Sequence, residues 1–196
     1  ERKRALVSSI PLLQRTIDAM SDLVVILNGR RQVVAANQRL LETLDCGLSA
    51  VLGKRLGELM GCKNAPQGPD GCGTAPDCAL CGAVEAILES QHSEDRVTRE
   101  CRVSLVEPIG ASLDLKVSAT AVAADGERFT ICVAKDISDE KRLAVLARLF
   151  FHDVMNTAGS IQGYTELLRE RVPRDSPQDE ELAELAQLSE ELVEEI

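Results

Sequence analysis

The sequence contains no tryptophan, and its other aromatic residues are one tyrosine and three phenylalanines. It also lacks an excess of basic residues: 22 lysines and arginines stand against 32 aspartates and glutamates, for a formal net charge of −10. Such a chain would repel the phosphates of a nucleic acid and would offer its bases few rings for stacking. We therefore expect no nucleic-acid partner.

No apolar run comes near the roughly 18 residues that a membrane-spanning helix requires. The charged start, Glu1-Arg2-Lys3-Arg4, is not followed by the hydrophobic stretch of a signal peptide. This start indicates a segment from inside a longer protein, and a membrane anchor upstream of it stays open. We expect the segment itself to be cytoplasmic.

The composition is otherwise typical of a folded protein, with 44% hydrophobic and 28% charged residues. A chain of 196 residues has room for one domain with an appendage, or for two small domains. A lead-in helix is predicted over 1–21, with a bend at Pro11. Its apolar positions at helical spacing are Leu6, Ile10, Leu13, Ile17 and Met20.

Residues 22–137 have the pattern of an α+β domain. Two short β-branched strands, 22–28 and 31–37, are predicted to form a hairpin around Gly29-Arg30, and a helical stretch follows them. After a polar, Gly- and Pro-rich segment at 61–82, one helix and three strands are predicted at 83–90, 96–105, 112–124 and 128–136. This order predicts a five-stranded antiparallel sheet with helices on one face.

From Ser138 the pattern is helical. Pro173 ends a first helix, and Ser176-Pro177 with Asp179 begins a second. Apolar or small residues recur at heptad spacing, in the first helix at Leu143, Ala147, Phe150, Val154, Thr157, Ile161, Tyr164 and Leu168, and in the second at Leu182, Leu185, Ser189, Leu192 and Ile196. Because an antiparallel two-helix hairpin leaves one apolar side uncovered, residues 138–196 predict a homodimer with a four-helix bundle.

His152 lies at an outward position of this heptad pattern. A helical histidine is often only a satisfied core or interface residue. An exposed imidazole, however, is partly neutral near pH 7 and can attack a phosphoryl group. The adjoining Asp153 could hold its tautomer and take its proton, and Asn156, one helical turn further on, could orient a water molecule.

The segment Phe151-His152-Asp153-Val154-Met155-Asn156-Thr157, which leads into 161–168, resembles the H-box of sensor histidine kinases. The resemblance implies that His152 is the phosphoacceptor, that Asp153 is an acid–base group and that Asn156 positions water in a phosphatase reaction. Many members of the family have proline where this chain has Thr157, so the helix kink that this proline causes is not implied here.

The same resemblance implies a response regulator as partner, whose receiver-domain aspartate takes the phosphoryl group. No Gly-rich nucleotide-binding segment follows the hairpin before Ile196. We therefore expect ATP and Mg²⁺ to bind only through a domain outside this chain. The chain alone should then be inactive as a kinase.

Residues 22–137 resemble a PAS sensor domain in the order of their elements. The stretch Val133-Ala-Lys-Asp136-Ile137-Ser138 is similar to the junction at which PAS domains pass into a signalling helix. The resemblance implies that a ligand or cofactor in the core changes the packing of the last strand, and thereby moves the helix that carries the histidine.

Seven cysteines are many for this length, and without signs of secretion a disulfide framework is disfavoured. Four of them cluster in the 61–82 insertion: Cys62, Cys72, Cys78 and Cys81. Four thiolates suit zinc or an iron–sulfur cluster. The irregular spacing, with a single Cys-x-x-Cys turn, and the redox chemistry useful to a sensor favour iron–sulfur. Zinc is the alternative, and a thiol–disulfide switch or unligated cysteines also stay open.

The remaining cysteines, Cys46, Cys101 and Cys132, are predicted to be small buried hydrophobes within helices or strands. His92 follows a predicted helix end, where a solvated side chain is expected. The sequence has no flavin-type Asn-Cys-Arg motif, and His92 is the one histidine that the α+β domain could offer to haem.

Two other functions stay open beside the sensor kinase. One is a non-enzymatic metal- or redox-binding dimer, in which His152 would be dispensable. The other is a phosphotransfer protein that receives its phosphoryl group from another kinase.

Overall fold

The computed structural model describes residues 11–174 and 176–194. Three residues of the predicted helical patterns, Leu6, Ile10 and Ile196, lie outside these ranges. The chain divides into two compact units, and the boundary falls between Asp139 and Glu140. In the described ranges, no helix has the length and apolar character that crossing a membrane demands.

In the described part of the first unit, helix α1 (Pro11–Asp18) comes first. The predicted bend at Pro11 lies at the edge of the described residues and stays a prediction. Strands β1 (Leu23–Asn28) and β2 (Val33–Ala36) follow as an antiparallel pair, as predicted but shorter.

Asn37, which is fully buried, ties these elements together. Its Oδ1 atom accepts hydrogen bonds from the backbone N–H of Val24 at 3.0 Å and of Leu40 at 3.1 Å. Its amide donates to the carbonyl oxygens of Asp22 at 2.9 Å and Ile17 at 3.2 Å. Asn37 thereby caps helix α2 (Gln38–Thr43) and fixes the end of α1 against the hairpin.

Short elements fill the region before the next long helix. Helices α3 (Leu48–Val51) and α4 (Leu56–Leu59) come first, and two 3₁₀ turns follow within the cysteine-rich insertion, Ala65–Gln67 and Pro76–Leu80. Helix α5 (Gly82–Ser93) is longer than the predicted 83–90 and starts directly after Cys81.

The last three strands are β3 (Arg96–Ser104), β4 (Ser112–Ala124) and β5 (Glu127–Asp136). The sheet has the order β2-β1-β5-β4-β3, and every neighbouring pair is antiparallel. This confirms the predicted five-stranded antiparallel sheet and the α+β class. The main core lies between the sheet and helices α2, α3 and α5, whereas Leu13 of α1 packs on the opposite face.

Strand β4 follows the predicted alternation with one exception. Leu115, Val117 and Ala119 are buried as expected. Asp114, predicted on the polar face, is also buried, because Arg102 forms an ion pair with it at 2.8 Å and because its own N–H donates to the hydroxyl of Ser138 at 2.9 Å.

The second unit is a helical hairpin of α6 (Ser138–Arg169) and α7 (Pro177–Glu194). Both helices start at the predicted residues, and the Ser176 hydroxyl accepts a hydrogen bond from the N–H of Asp179 at 3.2 Å. The contact between the two helices uses the predicted heptad position Ser189 of α7 but other positions of α6. Ala158 and Thr165 are buried there, whereas Phe150 and Tyr164 are exposed. Ser189 of α7 donates to the carbonyl oxygen of Ala158 at 2.8 Å.

Candidate functional site

Helix α6 presents His152 to solvent. The side chain of His152 is 67% exposed, and that of Asp153 is 82% exposed. Asn156 is also exposed and lies four residues after the histidine, which places both on one side of the helix. The imidazole is therefore accessible to a large reaction partner.

Polar contacts orient this imidazole. Its Nδ1 atom lies 3.3 Å from Oδ1 of Asp153. The amide nitrogen of Asn156 lies 3.2 Å from Nδ1 and 3.4 Å from Nε2. When Nδ1 carries the proton and donates it to Asp153, the amide of Asn156 can donate only to Nε2, and release of this 3.4 Å contact frees the Nε2 lone pair for nucleophilic attack.

The residue after this group does not interrupt the helix. Thr157 keeps its backbone N–H, and its hydroxyl donates to the carbonyl oxygen of Asp153 at 2.8 Å. Helix α6 is accordingly assigned without a break from Ser138 to Arg169. The kink of the proline-containing members is not needed to hold His152, Asp153 and Asn156 together.

In the first unit, a cavity of about 230 Å³ opens between α4, α5, the cysteine-rich insertion and the sheet. All four predicted cysteines line it: Cys62, Cys72, Cys78 and Cys81. Two cysteines predicted as plain hydrophobes, Cys101 of β3 and Cys132 of β5, line it as well. All seven cysteines of the chain are free thiols. The fold thus gathers most of the sulfur of the chain at one place; we call it the thiol cavity.

Cys72 reaches the thiol cavity because Gly57 leaves room for it. A Cβ atom at Gly57 would lie only 2.6 Å from the sulfur of Cys72, and the N–H of Gly57 donates to that sulfur at 3.3 Å. Burial raises the pKa of Cys72 to about 11, and the neighbouring thiols of Cys62, Cys78 and Cys81 act in the same direction. Cys72 is therefore a neutral thiol at pH 7 when no cation is bound.

Cys81 has the opposite electrostatics. A hydrogen bond from the thiol of Cys101, together with backbone donors at Ala83 and Val84, lowers the pKa of Cys81 to about 6, although burial acts against this. The same hydrogen bond raises the pKa of Cys101, and burial adds to that. Cys81 is thus a thiolate at the start of helix α5, where unpaired N–H groups favour negative charge.

The pairing of Cys81 with Cys101 was missed from the sequence. Cys101 looked like a core residue because it alternates with Val97 and Val103 on the inward side of β3, and it is indeed buried. The alternation of β3 was the one signal in the sequence, because it put Cys101 on the inward face of the strand. It could not indicate that Cys81 packs against that face.

The wall of the thiol cavity also carries polar groups. Arg31 and Arg55 line it, and Nη1 of Arg55 donates to the carbonyl oxygen of Cys72 at 2.9 Å. In the described part of the chain, Oδ1 of Asn64 is buried without a hydrogen-bond partner. Among these same residues, no three His, Cys, Asp or Glu side chains lie close enough together to hold a metal ion.

Three candidate residues remain: Cys46, Cys132 and His92. Cys46 is half-buried against the main core and does not line the thiol cavity. Cys132 is buried, and this burial raises its pKa to about 12, which makes it an inert thiol. His92 is exposed near the end of α5, as expected.

No protein-family model matches the chain, and no curated protein matches its sequence. Several solved structures are similar to it in fold. The PAS domain from Bordetella pertussis BvgS is 17% identical, covers 76% of this chain and 98% of its own, and has a TM-score of 0.48. The PAS domain of an HTR-like protein from Haloarcula marismortui is 18% identical, with 69% and 98% covered and a TM-score of 0.42.

A third structure is the PAS domain of nitrogen regulation protein NR(II) from Vibrio parahaemolyticus. It is 11% identical, with 65% and 100% covered and a TM-score of 0.46. At these identities and scores, the likenesses assign no function to the chain.

Proposed function

We propose that this chain is the sensory and phosphoacceptor part of a two-component histidine kinase. The observation that carries the proposal is the exposed His152, with Asp153 and Asn156 within hydrogen-bonding distance on one long helix. The first unit would be the PAS-type sensor, and the helical hairpin would dimerise and carry the acceptor. The strand order β2-β1-β5-β4-β3 and the direct passage of β5 into α6 support this division.

The chemistry follows from the orientation of the imidazole. Nε2 of His152 attacks the γ-phosphorus of ATP, a nitrogen–phosphorus bond forms, and the bond to the ADP oxygen breaks. Asp153 accepts the proton from Nδ1, which keeps positive charge from building up on the ring. A receiver-domain aspartate of a response regulator then takes the phosphoryl group. In the phosphatase reaction, Asn156 would orient a water molecule toward the phosphorylated response regulator.

Dimerisation is supported by apolar surface that the hairpin leaves exposed. Large apolar side chains remain exposed along α6 and α7 when only one chain is considered: Leu143, Leu146, Leu149, Phe150, Phe151, Ile161, Tyr164, Leu167, Leu168, Leu185, Leu188 and Leu192. So many exposed large apolar side chains on one hairpin are unusual on a monomer. A second copy of the hairpin would cover it in a four-helix bundle. We place this assembly in the cytoplasm, where ATP and response regulators are found.

For the thiol cavity we propose an iron–sulfur cluster held by Cys62, Cys72, Cys78 and Cys81, with zinc as the alternative. The four side chains line one cavity but would have to move closer together to bind either group. The cavity of about 230 Å³ leaves more room than a single zinc ion fills. The guanidinium groups of Arg31 and Arg55 would offset the negative charge of four thiolates. The cluster would supply one-electron redox chemistry to the sensor.

Phosphoacceptor activity is tested in the full-length protein with radiolabelled ATP. The variant His152→Gln should lose phosphate incorporation, whereas His92→Gln, at the other histidine of the chain, should keep it. Asn156→Ala should keep autophosphorylation but slow dephosphorylation of the receiver domain, with Ser160→Ala as its control one turn further on. Full labelling of His152→Gln would refute the proposal and favour the non-enzymatic dimer. Labelling that requires a second kinase would identify a phosphotransfer protein.

The cofactor is tested on protein purified without oxygen. We expect iron, acid-labile sulfide and a brown visible spectrum. Serine variants at each of the four proposed ligands should lose them, whereas Cys46→Ser, outside the thiol cavity, should not. Colourless protein with one zinc per chain would establish the alternative, and protein with neither metal would refute both.

A further inference from the structure

The start of helix α5 lies unusually close to strand β3. A Cβ atom at Gly82 would lie 2.1 Å from the carbonyl oxygen of Glu100, 3.0 Å from its carbonyl carbon and 3.2 Å from Cβ of Arg99. Only glycine permits this approach, because the contacts are with backbone atoms that cannot turn aside. The two chain segments are therefore in direct contact at Gly82 and Glu100.

This contact aligns the residues next to it. Cys81 precedes Gly82, Cys101 follows Glu100, and the two side chains belong to one packed cluster at the wall of the thiol cavity. Cys81 is half-buried and Cys101 is buried. Cys81 is thus partly accessible to solvent, and Cys101 is more deeply buried, on the edge strand β3 of the sheet. Such an arrangement suits a reactive and a resolving cysteine.

We propose that Cys81 and Cys101 form a reversible disulfide in the metal-free chain on reaction with a hydroperoxide. The sulfur of Cys81 attacks one peroxide oxygen, the O–O bond breaks, and the other oxygen leaves as water, or as an alcohol from an organic hydroperoxide. The sulfur of Cys101 then attacks the sulfenic acid so formed, the S–O bond breaks, and a molecule of water leaves. The two thiols lose two electrons in total, and the peroxide gains them.

The disulfide would remove one proposed cluster ligand and would join α5 to β3 covalently. The cavity would then have two exclusive states, one with a bound cluster and one with a disulfide. This consequence for sensing rests on the function proposed for the thiol cavity. The disulfide itself needs only the contact between α5 and β3.

The neighbouring residue of Cys101 extends the effect of such a bond. Arg102 lines the same cavity and pairs with Asp114, whose N–H donates to the hydroxyl of Ser138, the first residue of α6. A covalent link at Cys101 would therefore act on β3, whose Arg102 pairs with Asp114 of β4, and Asp114 in turn contacts the first residue of α6. Two direct contacts, Arg102 with Asp114 and Asp114 with Ser138, connect β3 to the start of α6.

The test treats the full chain, freed of metal with chelator and reductant and then desalted, with about one equivalent of hydrogen peroxide. Free thiols should fall by two per chain. Tryptic digestion should yield the peptide spanning 64–96 joined to the tripeptide 100–102, and dithiothreitol should separate them. Cys81→Ser and Cys101→Ser should abolish this linked pair, whereas Cys46→Ser and Cys132→Ser should retain it. Circular dichroism identifies any variant that does not fold, and Cys101→Ala replaces Cys101→Ser in that case.

Three outcomes would overturn the proposal: no loss of thiols, a disulfide confined to the 64–96 peptide, or a linked pair that survives Cys81→Ser. Iron binding is measured separately on untreated protein. A chain that binds a cluster but forms no disulfide refutes this inference alone. A chain that forms the disulfide but binds no metal refutes the cluster alone.

Discussion

Replacing Gly82 with alanine is the most direct perturbation of the contact that brings α5 against β3. The added Cβ atom would lie 2.1 Å from a carbonyl oxygen, more than an ångström short of an ordinary contact of roughly 3.5 Å. Since the opposing atoms belong to the backbone of β3, the helix start must move away from the strand. We expect Cys81 to move with it.

The energetic cost has two opposing parts. Overpacking of this kind destabilises by about 1–3 kcal/mol. Alanine returns up to about 1 kcal/mol, because it favours helix over the unfolded chain more than glycine does. We therefore expect Gly82→Ala to lower the free energy of unfolding of the first unit by about 1–2 kcal/mol, which is a considerable part of a typical stability of about 5–15 kcal/mol.

Urea unfolding followed by far-ultraviolet circular dichroism measures this change. Fluorescence is unsuitable because the chain has no tryptophan and its one tyrosine, Tyr164, lies in α6 of the hairpin unit. The midpoint should fall by about 0.5–1 M urea at a slope of about 2 kcal/mol per molar, the middle of the typical range. The control is Gly29→Ala, where an added Cβ meets nothing within 4 Å, and its midpoint should not change.

The same variant should also slow disulfide formation between Cys81 and Cys101, since it separates their backbones. A midpoint for Gly82→Ala equal to that of Gly29→Ala would refute the close packing inferred at this glycine. An unchanged rate of disulfide formation, with a lowered midpoint, would show that the two sulfurs meet by some other geometry.

Three further predictions follow from individual contacts. Asn37→Ala leaves two buried backbone N–H groups without their acceptor and should destabilise the first unit by about 2–4 kcal/mol. A loss of less than about 1 kcal/mol in urea unfolding would show that Asn37 does not hold these elements together. Ser189→Ala removes the hydrogen bond to Ala158 and should cost the hairpin about 1 kcal/mol in thermal unfolding, because the contact is buried. In metal-free protein, iodoacetamide should modify Cys81 first, and the rate should reach half its maximum near pH 6. Cys132 should stay unmodified at pH 8. Equal rates of modification at Cys81 and Cys132 would contradict the thiolate assigned to Cys81.

Much of the fold could be predicted from the sequence because its signals are local. Strand β4 was predicted with its observed ends, 112–124, since its alternation of apolar and polar residues is regular and its turns contain glycine. The starts of α6 at Ser138 and of α7 at Pro177 depend on capping residues within one turn. Likewise, His152, Asp153 and Asn156 meet because a helix brings residues four apart together, whatever the rest of the chain does.

Tertiary structure decided what depends on distant partners. Asp114 is buried because Arg102 and Ser138 reach it from other elements, and its own position in an alternating strand could not indicate that. The hairpin contact runs through Ala158 rather than the predicted heptad line, because the partner helix, and not the periodicity alone, selects the inward face.

The cysteines divide in the same way. By itself, the sequence determined that four of them lie close together in one glycine-rich segment, because 61–82 is short. Only the folded chain decided that Cys101, twenty residues further on, belongs with them. Its partnership with Cys81 depends on the missing side chain of Gly82, which lets a helix start touch the backbone of a strand. Sequence spacing could not report that distance, since it arises from how α5 and the sheet pack.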